Sequence, residues 1–194
     1  MTATHAVPTT KRRCWRAFVA DRKGATAVEF ALVAAPFVAL LLALIQTFLV
    51  FFAQQHLEEV VTESSRTILT GQEQAQAQAQ NWTQAQAQAQ FARAVCSNVV
   101  ILFNCNNLMI DVEVAGSWSS ASTGMPSLTF DNNGNVTNVW QFNPGNPGDI
   151  VVVRVMYQWP VFMGPLGFNL ANLSNGNRLL MASTAFQNEA FVNS

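Results

Sequence analysis

The first third of the chain is dominated by one apolar run, which extends from Phe30 to Ala53. Its sequence is FALVAAPFVALLLALIQTFLVFFA, without a formal charge. A helix needs roughly 20 apolar residues to cross the hydrocarbon core of a bilayer, so the run is long enough. The alternatives are a buried core helix and a secretory signal, whose apolar region would be shorter, at roughly 7–15 residues. The pattern favours a membrane-spanning helix that begins near Ala25.

Beyond the apolar run, the pattern becomes that of an amphipathic helix. Apolar residues recur there at helical spacing, namely Leu57, Val60, Val61, Ile68 and Leu69. This spacing predicts that the same helix continues outside the membrane and packs one face against a globular body. Gly71 is its expected end, because glycine commonly follows the last helical residue.

Residues 71–95 contain two blocks in which Gln and Ala alternate, separated by Asn81-Trp82-Thr83. Both Gln and Ala favour helix, but a period of two places glutamine on every face of a helix. We expect either a weakly amphipathic helix or a flexible spacer, with the second half helical into Phe91 and Val95.

Strand patterns dominate the remainder of the chain. Residues 108–114 alternate apolar with polar side chains, and residues 150–160 are rich in β-branched side chains before a terminating proline. A turn at 131–135, with the sequence DNNGN, is expected to join two strands, and a last strand is expected from residue 178. The predicted fold class is α+β, with a long N-terminal transmembrane helix that extends into a small antiparallel β-sheet domain.

Charge is scarce and unevenly distributed. Only 11% of the 194 residues are charged, against about a quarter in typical soluble domains. The first 24 residues hold six of the ten basic residues and one of the eleven acidic residues. Basic residues before a span stay in the cytoplasm, so the C-terminal body is expected outside it. A mildly acidic body also argues against nucleic acid as a partner.

Two cysteines lie close together in the part expected to be exported. These are Cys96 and Cys105, whereas Cys14 lies in the basic head. A disulfide between the first two is allowed outside the cytoplasm, where Cys14 would stay reduced. The alternative is a pair of unbonded, buried thiols.

The sequence offers few residues for catalysis or metal binding. His56, Glu59 and Glu63 share one helical face and could hold a metal, although a solvated face beside the membrane is the simpler interpretation. No phosphate-binding glycine loop, nucleophile elbow or zinc-type cysteine pair is present. The sequence therefore predicts that the protein is not an enzyme and that it holds neither a cofactor nor a metal ion.

Glu29 is the most informative residue, because it places a carboxylate at the front of the apolar run. Such a group costs on the order of 2.5–3.5 kcal/mol at the bilayer centre and less near an end. Glu29 lies six residues after Lys23, so its side chain can reach the headgroups. That position explains why the charge is tolerated but does not explain its purpose.

The residues around Glu29 resemble a known processing signal. The stretch RKGATAVEFALVAAPF looks like the processing site of type IV prepilins. More narrowly, GATAVEFALVAAPFVALLLALIQ is similar to the TadE-like family, the minor pilins or pseudopilins of Tad/Flp pilus systems. The later stretches SSRTILTGQ, AVCSN, PGDIVVVRVMYQWP and FQNEAF also resemble that family, whereas the Gln/Ala blocks depart from it.

The resemblance implies a domain plan and a role. An aspartic membrane peptidase, the prepilin peptidase, would remove residues 1–24 by cutting after Gly24, which makes Ala25 the new N-terminus. Residues 25–70 would form the span and its extension, residues 71–95 a low-complexity segment, and residues 96–194 the extracytoplasmic β-rich domain.

The implied product is a noncatalytic protein of the bacterial inner membrane, with a single pass, that supports pilus assembly or enters the fibre. Its implied partners are other pilins and Tad assembly proteins. Glu29 would then pair with the Ala25 amine of a neighbouring subunit. The alternative is a membrane-anchored extracytoplasmic binding module, which needs no cut after Gly24.

Overall fold

A computed structural model describes residues 24–99, 102–162 and 167–190. The predicted leader, apart from Gly24, lies outside these residues, as does Cys14. Within these described ranges, three helices are followed by a short 3-10 turn (Cys105–Asn107) and three strands. They are α1 (Ala25–Leu69), α2 (Gln72–Ala79), α3 (Gln84–Val99), β1 (Leu108–Ala115), β2 (Ile150–Pro160) and β3 (Asn177–Gln187). This architecture confirms the predicted α+β class.

The three strands form one antiparallel sheet in the order β1-β2-β3. The central strand β2 is buried continuously from Val151 to Tyr157. Its odd-numbered residues join the main hydrophobic core together with Ile110 and Val112 of β1. The alternation predicted for β1 is therefore confirmed, with one apolar side facing the core.

The second half of α1 packs against the sheet, whereas the first half does not. Within α1, buried residues begin at Val50 and recur along one face to Ile68. Phe91 and Val95 of α3 are buried in the same core. The amphipathic extension is thus confirmed. Gly71 follows the helix with φ of 75°, a left-handed conformation that favours glycine, so the predicted stop is confirmed as well.

The Gln/Ala segment forms the helices α2 and α3, so the helical interpretation is correct and the flexible spacer is wrong. Its glutamines bind carbonyl groups of the β-rich part. The side-chain amide of Gln74 donates to the Pro144 carbonyl at 2.9 Å, and that of Gln84 donates to the Phe142 carbonyl at 2.7 Å. α3 also continues to Val99, across the boundary proposed at residue 96.

A buried ion cluster lies on the sheet face opposite the main core. Arg154 is 5% exposed, and its Nη1 donates to Asp111 at 2.7 Å. Its Nη2 donates to Glu113 and to the Ser122 carbonyl. The guanidinium therefore fastens β1 and the loop that follows it to the central strand.

The predicted turn at 131–135 is present, but the two strands expected on either side of it are not. Phe130 and Val136 form a single isolated antiparallel bridge. Beyond that bridge the Asn138 side chain accepts a hydrogen bond from the Thr129 amide at 2.7 Å. Polar side chains that bind the backbone compete with ladder formation, which accounts for this correction.

Candidate functional site

The first half of α1 exposes its apolar side chains on all sides. Large apolar residues from Val28 to Phe52 are exposed, and none of the residues from Ala25 to Leu49 is buried. In the part of the chain that the structure describes, α1 is the one helix long and apolar enough to cross a membrane. At 1.5 Å per residue, residues 25–49 would extend about 37 Å, which exceeds the roughly 30 Å hydrocarbon core.

Glu29 lies on the second turn of this exposed half. Its side chain is exposed, and within residues 24–99, 102–162 and 167–190 it makes no hydrogen bond or ion pair. Ala25 is the first residue of α1 and precedes Glu29 by one helical turn. The two sequence-predicted assembly groups therefore lie on the same side of the helix, close to its start.

Gly24 precedes α1 in a conformation that any residue can adopt, with φ of −90°. Within the described residues, a Cβ atom added at this position would meet no atom beyond its chain neighbours within 4 Å. The fold therefore places no demand for glycine at residue 24.

A comparison with protein families finds one described as TadE-like protein, which matches residues 24–66. These residues form a TadE-like family domain. The match begins at Gly24 and includes Glu29, the apolar half of α1 and most of its packed half. No curated protein and no solved structure matches the chain.

Among the described residues, hydrogen bonds hold the packed half of α1 to α3 and to the β-rich part. The Gln54 amide donates to the Met181 carbonyl at 2.9 Å, and His56 Nε2 lies 3.0 Å from the Asn98 carbonyl oxygen. Further along, the Glu189 amide donates to the Leu69 carbonyl at 3.0 Å. Movement of the span would therefore be transmitted to the globular body.

The three residues considered as metal ligands, His56, Glu59 and Glu63, form ordinary pairs along the helix. His56 Nδ1 lies 3.9 Å from Glu59, and Glu63 lies 3.7 Å from Arg66. Among the described residues, no group of three His, Cys, Asp or Glu side chains is arranged to hold a metal ion. These pairs lie on the solvated face of the helix.

Two carboxyl groups outside the span have shifted pKa values. Burial raises the pKa of Glu73, whose Oε2 atom has no hydrogen-bond partner within the described part of the chain. In the exposed turn at 131–135, hydrogen bonds from the side chain and then the backbone of Asn135 lower the pKa of Asp131. Neither carboxyl group lies on α1, the helix that carries Glu29.

Cys96 and Cys105 face each other across the loop that joins α3 to β1. Their Cα atoms lie 5.5 Å apart, a usual separation for a disulfide, and their sulfur atoms lie within bonding distance. A bridge here would close a short loop and fix the end of α3 beside the first strand.

We predict that the exported protein contains this bridge and that Cys96→Ser lowers its free energy of unfolding by about 2–3 kcal/mol. The reason is the loop entropy that the bridge removes from the unfolded chain. Denaturation of the full chain in detergent, with and without reductant, measures the effect. Ser97→Ala, at the exposed position next to Cys96, is the matched control and should change the free energy of unfolding by less than about 0.5 kcal/mol. Two free thiols in the exported protein under non-reducing mass analysis would exclude the bridge.

Proposed function

We propose that this protein is a noncatalytic minor pilin or pseudopilin that supports assembly of a Tad/Flp pilus. In this proposal a prepilin peptidase cuts after Gly24, and the mature chain begins at Ala25. Its helix α1 crosses the inner membrane, and the β-rich part lies outside the cytoplasm. The TadE-like match over residues 24–66 supports the Tad context.

The observation that carries the proposal is Glu29, an exposed carboxylate near the start of the exposed apolar half of α1. Cutting after Gly24 would create an amine at Ala25, with an ordinary pKa near 8, so the new group would be mostly cationic at neutral pH. A lone carboxylate and a lone ammonium each lose hydration inside lipid. Pairing between neighbouring subunits would offset that cost.

Pairing between subunits also sets a geometry. The carboxylate of one helix can meet the amine of its neighbour only when the two helices adopt one axial offset. Pairing within a single chain would neutralise the charges but would set no offset. Glu29 is therefore proposed as an assembly group that selects the register between helices, and it takes no part in bond chemistry.

The orientation in the membrane follows from the charge asymmetry. Six basic residues precede Gly24, while Glu58 is the first acidic residue after the span. Such an arrangement favours a cytoplasmic N-terminus. A disulfide between Cys96 and Cys105 would fit an oxidising compartment on the other side.

The processing step is tested by the N-terminus of the exported protein, which we expect to be Ala25. Gly24→Val should block the cut, because a branched side chain would obstruct the peptidase cleft. We expect the fold to be unaffected, because an added Cβ atom meets no described atom beyond its chain neighbours within 4 Å. Ala27→Val, which adds similar bulk to an exposed position three residues later, is the control and should be cut normally. Exported protein that still begins at Met1, or that begins after the span, would contradict the proposal.

A further inference from the structure

Phe162, two residues after the end of β2, is held against the membrane-spanning half of α1. The Gln46 side-chain amide donates to the Phe162 carbonyl at 2.6 Å, which gives the one strongly polar side chain in this part of the apolar run a partner. Phe162 is itself 80% exposed. A large aromatic side chain thus stands free beside a helix that is itself covered with exposed apolar groups.

The contacts along α1 show which end of the sheet is nearest to the membrane. Gln46, Gln54 and Leu69 of α1 contact Phe162, Met181 and Glu189 in that order. The end of β2, Phe162 and the start of β3 therefore lie toward the N-terminal half of α1. Along the axis of α1, the contact with Phe162 lies about 12 Å nearer the N-terminus than the contact with Met181, because Gln46 precedes Gln54 by eight residues.

This position coincides with the outer edge of the bilayer. If the hydrocarbon core begins anywhere between Ala25 and Phe30, a span of about 20 residues ends between about residues 44 and 49. Gln46 falls inside that interval. The Phe162 ring then lies at the boundary between acyl chains and headgroups, where aromatic side chains are enriched.

The scarcity of charge in the sequence around Phe162 suits the same location. From Val155 to Asn188 the sequence contains a single charged residue, Arg178. Arg178 pairs in register with Trp159 and donates to the Leu170 carbonyl at 3.0 Å, so it lies at the same end of the sheet. A cation among uncharged residues is complementary to the anionic headgroups of a bilayer surface.

We infer that Phe162 inserts its aromatic side chain into the outer leaflet and is a second membrane contact beside the span. The contact fixes the tilt of the globular body on the membrane, because the body is then held at two points. Before assembly, the Phe162 side chain faces lipid. The inference rests on the membrane insertion included in the proposed function.

Photo-cross-linking of the full chain tests the contact. The residue p-benzoylphenylalanine is placed singly at Phe162, at Leu40 within the span, or at Trp118. Trp118 follows the end of β1 that pairs with the start of β2, so it lies at the end of the sheet away from Phe162. All three positions are exposed apolar sites in the free chain. Each protein is reconstituted in vesicles of phosphatidylethanolamine and phosphatidylglycerol, irradiated, and analysed by mass spectrometry for phospholipid adducts.

The expected adduct yield at residue 162 is similar to that at residue 40 and on the order of ten-fold above that at residue 118. A yield at 162 as low as at 118 would overturn the inference while leaving the span intact. Predominant cross-linking of 162 to a second copy of the chain would also overturn it, in favour of a protein contact. Failure of residue 40 to label lipid would refute membrane insertion itself and the Phe162 contact with it.

Discussion

Replacement of Glu29 with alanine is expected to remove assembled pili while the protein still inserts into the membrane. The substitution leaves the amine of a neighbouring Ala25 without a partner in a poorly hydrated site. Removing one member of a desolvated ion pair costs about 3–5 kcal/mol. That range corresponds to a loss of more than about a hundred-fold in the equilibrium constant for correct docking.

Two measurements on the same cells check this result. Sheared pili are counted and probed for the processed protein, and alkaline extraction of membranes tests insertion. Glu29→Gln, which keeps the size of the side chain but removes its charge, should fail as Glu29→Ala does. Glu63→Ala is the matched control, because Glu63 lies on the same helix outside the span and has only an exposed pair with Arg66. Equal pilus levels for Glu29→Ala and Glu63→Ala would disprove the pairing mechanism.

The elements of this fold follow from local periodicity in the sequence. The apolar run and the spacing of Leu57, Val60 and Ile68 predicted one helix across and beyond the membrane, and α1 is that helix. Alternation in residues 108–114 and the β-branched run at 150–160 predicted β1 and β2. Each prediction depended on the period or the composition of one segment, which is the information that sequence carries most directly.

Contacts between distant segments could not be predicted in the same way. Asp111 alternates with apolar residues and was therefore assigned to a polar face of β1, yet it is only 6% exposed. Its partner is Arg154, 43 residues later on the central strand. The sequence did contain a signal, an arginine inside VVVRV, because a buried cation in such a strand requires a carboxylate nearby.

The glutamines of α2 and α3 are a second case. Their alternation with alanine gave no preferred face, so their binding to the carbonyls of Phe142 and Pro144 was not foreseen. The candidate site is different, because Gly24, Ala25 and Glu29 are neighbours in sequence and were identified without a structure. The structure adds that the fold itself gives Gly24 no role and Glu29 no described partner.

Arg154→Met is expected to destabilise the β-rich part by about 3–5 kcal/mol, because it leaves the Asp111 carboxylate buried without its cation. The lost contacts are the bond to Asp111, the bond to Glu113 and the bond to the Ser122 carbonyl. Denaturant unfolding of the full chain in detergent, followed by near-ultraviolet circular dichroism, measures the change. The double substitution Arg154→Met with Asp111→Leu should recover most of the loss, because an apolar pair replaces both charges.

Arg66→Met provides the matched control, since Arg66 forms a surface pair with Glu63 in which both side chains are 70% exposed. Exposed pairs contribute about 0–1 kcal/mol, so this variant should unfold like the unaltered protein. A cost for Arg154→Met no larger than that for Arg66→Met would show that the buried cluster does not hold the sheet together. The comparison also separates two causes of failed assembly: Arg154→Met would act through the folded body, whereas Glu29→Ala should leave the unfolding free energy unchanged and act in the membrane alone.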